Sequence, residues 1–229
     1  MKLILFFIIS ICFSKSQEYK LSCFGIYIAD IKQSIYEVGE IKYEIQSRGI
    51  IDLIWPTNNN YYTSFDTVAF SMKSWGKNVK QGLYKSSLDA KVDSIDNVLK
   101  YEKKSIQTVE PIYTIFTMLA MVQALPYEVL DTKWFPYEHQ GKIGEARFLW
   151  SDSSMVWSGK DSIMCDHYRM DISILDSTFS IKGGKDYFMR NIVNKNYVKE
   201  LWVSRQKKRK IMKARVKNNW VTFIAKTNE

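Results

Sequence analysis

The chain has 229 residues, with 33 Lys and Arg against 24 Asp and Glu for a net charge of +9, and it is 46% hydrophobic and 14% aromatic. That apolar share is ample for a core and excludes an intrinsically disordered chain. The length suits one domain.

In chain order, the first element is a leader. Lys2 supplies a positive start, Leu3 to Phe13 is apolar except for Ser10, and Ser14-Lys15-Ser16 places small residues where a signal peptidase reads. The apolar run is about half the ~20 residues a spanning helix needs. Residues 1–16 are therefore predicted to be a cleavable secretory signal peptide, and residues 17–229 a single β-rich domain. The leader carries two lysines and no acid, so 33 basic residues become 31 against 24 acidic, a net charge of +7. No later stretch is long and apolar enough for a transmembrane segment. The expected location is the periplasm or cell envelope. Cys23 and Cys165 remain after cleavage, either as a disulfide or as two separately packed thiols.

Period-2 alternation dominates the rest of the chain. Over Glu40 to Ser47, Ile41, Tyr43 and Ile45 share one face and Glu40, Lys42, Glu44 and Gln46 the other, the mark of a half-buried antiparallel strand. Further strands are predicted at Ile50 to Trp55, Tyr61 to Met72, Leu83 to Val92 and Val98 to Lys103, and at Ala146 to Trp150, Ser154 to Trp157 and Met164 to Ile174. The last are Phe179 to Ile181, Glu200 to Ser204, Ile211 to Val216 and Trp220 to Ala225. Turn residues sit between them: Asn58-Asn59-Asn60, Asp93 to Asn97, Ser158 to Asp161, Gly183-Gly184 and Asn218-Asn219.

One segment breaks this pattern. Ile112 to Leu125 is too long and apolar for a strand, with Pro111 suited to a first helical turn, Thr108 to a cap and Pro126 to a stop. A helix this apolar is buried on most sides. The fold class expected is mainly β: a single curved antiparallel sheet, barrel or half-barrel, packed around one apolar α-helix.

Candidate chemistry is sparse. His139 and His167 have no metal-ligand spacing, although Cys165, His167 and Asp171 share a strand face. Asp166-His167 has no identifiable serine partner, and there is no Gly-x-Ser-x-Gly elbow or phosphate-binding glycine loop. No catalytic residue, metal or cofactor is predicted. Between Lys195 and Lys217 lie ten basic residues and one acid, centred on Arg205-Gln206-Lys207-Lys208-Arg209-Lys210. Export argues against nucleic acid as its partner, leaving a solvated hairpin turn or contact with an anionic envelope surface. The seven tryptophans, scattered through strands and turns, fit core packing better than sugar platforms. Phe116, Met118 and Met121 on the helix are candidates to line a flexible apolar pocket.

Several stretches, Tyr36 to Tyr43, Asp93-Ser94-Ile95-Asp96 with Leu99 to Glu102, the helix Pro111 to Ala124 and the closing hairpin Glu200 to Ile211, together resemble a family of exported bacterial proteins of unknown function, DUF3108. The likeness covers about Leu21 to the C-terminus. It implies an antiparallel β fold wrapped around a helix and lends no catalytic residues. The helix here lacks the small-residue and arginine pattern of that family at its ends.

The expected function is non-enzymatic envelope maintenance or lipid and lipoprotein handling. In that reading an acyl chain sits in a pocket with Lys207, Lys208, Arg209 and Lys210 at its mouth. A module binding cell-surface polysaccharide or a protein partner is the second reading, and an uncharacterised hydrolase the third.

Overall fold

The computed structural model describes residues 14–102, 104–174 and 186–227, and the strands among them form one 14-stranded antiparallel sheet. The first eight strands follow one another in the sheet as in the chain: β1 (Ser14–Cys23), β2 (Ile26–Tyr36), β3 (Glu40–Ser47), β4 (Thr57–Phe65), β5 (Met72–Gln81), β6 (Tyr84–Asp93), β7 (Val98–Tyr101) and β8 (Ser105–Gln107). The rest are β9 (Trp134–His139), β10 (Lys142–Trp157), β11 (Ser162–Ile174), β12 (Val198–Ser204), β13 (Ile211–Lys217) and β14 (Thr222–Thr227). Four helices accompany them among the described residues: α1 (Gly49–Ile54), α2 (Ile115–Ala124), α3 (Tyr127–Leu130) and α4 (Tyr187–Val193).

The strand order is β8-β7-β6-β5-β4-β3-β2-β1-β14-β13-β12-β11-β10-β9. The first and last strands of the chain therefore pair in the middle of the sheet, Tyr19 opposite Thr227 and Cys23 opposite Phe223. The two edges, β8 and β9, flank the helical segment at mid-chain. Residues 112 and 113 of that segment tie the start of β5 to the β9 edge. The Met72 N–H donates to the Ile112 carbonyl (2.8 Å), Tyr113 N–H to the Pro136 carbonyl (2.9 Å), and Glu138 N–H to the Tyr113 carbonyl (2.9 Å). On the β9 side this satisfies backbone groups that would otherwise be left open along a sheet edge.

Having crossed between the edges, the chain turns inward as α2. The Thr114 side chain accepts from Thr117 N–H while Thr117 Oγ1 accepts from Thr114 N–H, a capping box. The helix packs on β3 and β4, with Phe116 against Tyr43 and Tyr61, ring centroids 5.3 Å apart in each case. Met118 and Val122 are fully buried and Met121 nearly so, as a helix apolar on all sides requires.

Several sequence expectations are corrected. Ile50 to Trp55 is helix α1, not a strand: Gly49 takes a left-handed φ of +61°, turning the chain out of β3. Asn58-Asn59-Asn60 lies within β4, where Asn59 pairs with Ile45 and Val79, so the sheet ladder overrides the turn preference of asparagine. The span Tyr61 to Met72 divides at residues 66–71, where Asp66 Oδ1 accepts from the Val68 and Ala69 N–H groups. Conversely, Ala146 to Trp150 and Ser154 to Trp157 are one strand, β10, and the polar break between them is a bulge after Trp150. Pro111 and Thr108 stand outside α2, because residues 112 and 113 are used to tie the start of β5 to β9. Phe179 to Ile181, Gly183-Gly184 and most of the leader lie outside the described residues. Ser14 to Ser16 begin β1, opposite Tyr36 to Ser34.

Cys23 and Cys165 are both free thiols. Three strands separate β1 from β11, so at about 4.8 Å per strand they stand far beyond the ~7 Å Cα limit of a disulfide. In register, Cys23 aligns with Met170 rather than Cys165.

The packing of α2 predicts that Met118→Ala lowers unfolding free energy in urea by about 2–5 kcal/mol. Leu83→Ala, at a fully exposed hairpin tip, should change it by less than about 0.5 kcal/mol.

Candidate functional site: an apolar cavity under α2 and α4

The inward face of the sheet is set by alternation. Tyr19 and Leu21 of β1, Ala29 and Ile31 of β2, and Tyr43 and Ile45 of β3 point the same way and are buried. Across the β1–β14 seam the inward positions are Phe223 and Ala225 of β14, Ala214 and Val216 of β13, and Lys199 and Leu201 of β12. Between this face and the helices lies a cavity of about 380 Å³. Ile115, Phe116 and Leu119 of α2 and Phe188, Met189 and Ile192 of α4 complete its walls.

Its lining on β13 runs from Val216 to Ile211, a length of about 17 Å at the rise of an antiparallel strand. The cavity is therefore elongated along the strands. Ile51 and Trp55 of the α1 connection line one end while remaining 37% and 45% exposed, so the cavity meets solvent beside α1. Helix α1 has no buried residue, and Ile50, Leu53 and Ile54 are exposed on it. The mouth is thus bordered by an apolar surface.

Helix α4 is fixed over the cavity at both ends. Its cap Asp186 accepts from Met189 N–H (3.0 Å), from the Tyr61 hydroxyl (3.0 Å) and from the Lys77 ammonium (3.3 Å), and both carboxylate and ammonium are buried. Burial lowers the Lys77 pKa, an effect Asp186 opposes. At the other end Lys199 Nζ donates to the carbonyls of Asn194 (2.7 Å) and Tyr197 (2.9 Å). A cation at a helix C-terminus also meets the negative end of the helix dipole.

Behind Phe116, away from the cavity, Glu138 is buried where the sheet edges meet. It accepts from the Tyr101 hydroxyl and from Gly141 N–H (2.7 Å). Desolvation pushes its pKa up to about 7, only partly offset by these donors.

The residues singled out from sequence separate. Phe116 lines the cavity, whereas Met118 and Met121 pack into the core on other faces of α2. The basic hairpin lies at the end of the sheet opposite α1, because β1 and β13 end at the mouth and β12 ends away from it. Its arginines fold back: Arg205 and Arg209 bind the buried Asp166 at 2.7 and 3.1 Å, and Arg209 also donates to the Tyr168 hydroxyl (3.1 Å). Lys210 N–H donates to Ser204 Oγ (3.0 Å), and Lys207 and Lys208 are exposed. The expectation of basic residues at the pocket mouth is therefore corrected.

His167 and Cys165 lie on the outer face. The imidazole stacks on Trp202 with ring centroids 4.3 Å apart, and Asp152 lies 3.2 Å and Glu200 3.4 Å from its nitrogens. The Lys213 ammonium stands 4.1 Å from the centroid of the same indole. Cys165 is buried with Val156, Trp202 and Met212. Among the described residues, no three His, Cys, Asp or Glu side chains converge as a metal site.

Sequence reading missed Lys199, α4 and the α1 mouth. The signal for Lys199 was its place in the alternation Lys199, Leu201, Val203, which sets a lysine among inward apolar positions.

A solved structure shares this architecture. It is the crystal structure of a β-barrel-like protein of a domain of unknown function, DUF1849, from Brucella abortus. The two align with a TM-score of 0.59 at 9% identity, over 93% of this chain and 95% of that one. At that identity the likeness shows a shared fold. No protein-family model matches the sequence, and no curated protein does. The likeness to a domain-of-unknown-function protein thus stands at the level of fold, while the narrower resemblance to DUF3108 gains no support.

Two outcomes are expected of the buried carboxylates. The folded state holds a proton on Glu138 up to about pH 7, whereas an unfolded glutamate loses it near 4.5. Its contribution is therefore fully present below about pH 4.5 and is lost as pH rises through 7. Glu138→Gln should leave stability at pH 5 nearly unchanged and raise it at pH 8 relative to the parent, on the order of 1–3 kcal/mol in urea titrations. Asp166→Ala should lower stability by about 3–5 kcal/mol, because it strands the largely buried Arg209 guanidinium.

Proposed function

We propose that this chain binds the apolar tail of a lipid in the cavity under α2 and α4, and acts in the cell envelope as a non-enzymatic lipid-handling protein. The observation that carries this reading is the cavity itself: elongated, walled by aliphatic and aromatic side chains, and open beside an exposed apolar helix. Its volume lies within the ~300–1,000 Å³ of small-molecule sites. If a methylene needs about the ~30 Å³ of a water, there is room for on the order of ten carbons. Burying an acyl chain is favourable at about 0.8 kcal/mol per methylene. The exposed α1 residues Ile50, Leu53 and Ile54 offer a low-cost path for such a chain between a membrane and the cavity. Export through the leader would place the protein where envelope lipids are handled.

The test is native mass spectrometry of the protein purified from its envelope fraction, with extraction and identification of any bound lipid. A mass increment that disappears on organic extraction is expected. A bare chain that also fails to take up a medium-chain amphiphile in solution would overturn the reading. Ala214→Trp places an indole in the cavity wall and should abolish uptake while the far-ultraviolet circular dichroism of the sheet is retained.

A further inference from the structure

Most polar groups bordering the cavity are short or already committed. Glu200 and Arg215 touch its edge but are bound to one another, Arg215 NH2 to Glu200 Oε1 at 2.7 Å. Lys199 differs. It stands on the inward face of β12, between Met170 of β11 and Val216 of β13, and both of those residues line the cavity with it. Only 5% of it is exposed.

An ammonium carries three N–H donors. Two of those on Lys199 are given to the Asn194 and Tyr197 carbonyls, which leaves a third. Those carbonyls supply dipoles and no countercharge. Of the carboxylates nearby, Asp171 of β11 is held by Arg147 and Arg169, and Glu200 of β12 itself by Arg215. Burying a charge without a partner is costly, and burial does lower the Lys199 pKa, to about 8. At neutral pH the group is still predominantly an ammonium. The position is also apt for a head group: Val216 and Lys199 lie at the end of the cavity toward α1, while the apolar lining continues to Ile211.

We infer that the cavity selects a single-chain amphiphile with an anionic head, a fatty acid carboxylate, whose head accepts a charge-assisted hydrogen bond from Lys199 while the tail runs toward Ile211. This rests on the lipid-binding reading above and adds to it the class of head group. Lys199 becomes the specificity determinant, and α4 is coupled to the ligand because the same ammonium holds its C-terminal end.

The experiment compares dodecanoate with 1-dodecanol, two ligands with the same tail, by isothermal titration at pH 7 on the parent chain, Lys199→Met and Lys199→Arg. On the parent chain the acid should bind about ten- to a hundredfold more tightly than the alcohol, the range of a hydrogen bond to a charged group. Lys199→Met should bring the acid-to-alcohol ratio near one, whatever the loss of its bonds to Asn194 and Tyr197 costs both ligands alike, and Lys199→Arg should retain a preference for the acid. Alcohol binding reports that the variant cavity is intact, so loss of selectivity is not mistaken for misfolding. If Lys199→Met loses both ligands, the acid-to-alcohol ratio in Lys199→Arg decides: a ratio near one overturns the proposal. Equal affinity for acid and alcohol on the parent chain overturns it while leaving lipid binding standing. Failure of both ligands to bind the parent chain overturns the lipid reading itself.

Discussion

A sheet of fourteen strands curved on itself encloses more space than its inward side chains can fill, and that excess governs the rest of the molecule. Small barrels are packed by strand side chains alone, whereas larger ones must hold a plug, a ligand or water. Here the plug comes from the one place where the chain leaves the sheet between its edges. Between β8 and β9 it ties the start of β5 to β9 through residues 112 and 113, then sends α2 into the interior. Closing the sheet and filling it are thus one act by one segment. The capping box at Thr114 and Thr117 is what allows an abrupt switch from ladder to helix inside an apolar environment. It satisfies donors that no water could reach.

What α2 leaves empty is asymmetric. Its Met118, Met121 and Val122 are locked in the core, but the Phe116–Leu119 side faces the β1–β14 seam, where small residues, Ala29, Ala214 and Ala225, widen the interior. Helix α4 covers this space; Met189 is its one fully buried residue, and Phe188, Ile192 and Val193 are partly buried against the core. Polar contacts fix it further, with Asp186 bound to Lys77 and Tyr61 at one end and Lys199 at the other. Buried ion pairs contribute little net stability but penalise wrong arrangements strongly. A cover fixed through such points is well positioned without being part of the tightly packed core, which suits the wall of a binding cavity.

The alternation of residues made most of the sheet legible. Strands such as β3 and β6 announce themselves because one face is buried and the other wet, and the helical segment stands out by the loss of that period. The exceptions have local causes. Asn58 to Asn60 read as a turn because propensity is a short-range signal, yet β4 has neighbours on both sides that supply a ladder for each residue. Ile50 to Trp55 read as a strand because a short apolar run has no period of its own; the left-handed Gly49 decides it. The central seam was invisible because the pairing of β1 with β14 joins distant ends of the chain. The site suffered most. Of the residues predicted to face a ligand, only Phe116 lines the cavity, since telling one face of an apolar helix from another requires knowing where the sheet runs out of bulk.

The basic hairpin and Lys199 show why charge counted along a sequence is a poor guide to charge at a site. Arg205 to Lys210 is the densest positive stretch, yet its arginines neutralise a single buried aspartate and its exposed lysines sit at the end away from α1. Lys199 is one cation in an ordinary strand. Set among Met170, Leu201 and Val216 in a low-dielectric wall, however, it exerts more on an incoming anion than any exposed lysine can, because solvent does not screen it. On the proposed reading, an entering carboxylate supplies the countercharge that the neutral carbonyls around Lys199 do not. Selectivity for an anion then arises from how the cavity is built, with a cation held by neutral carbonyls at the head of an apolar channel.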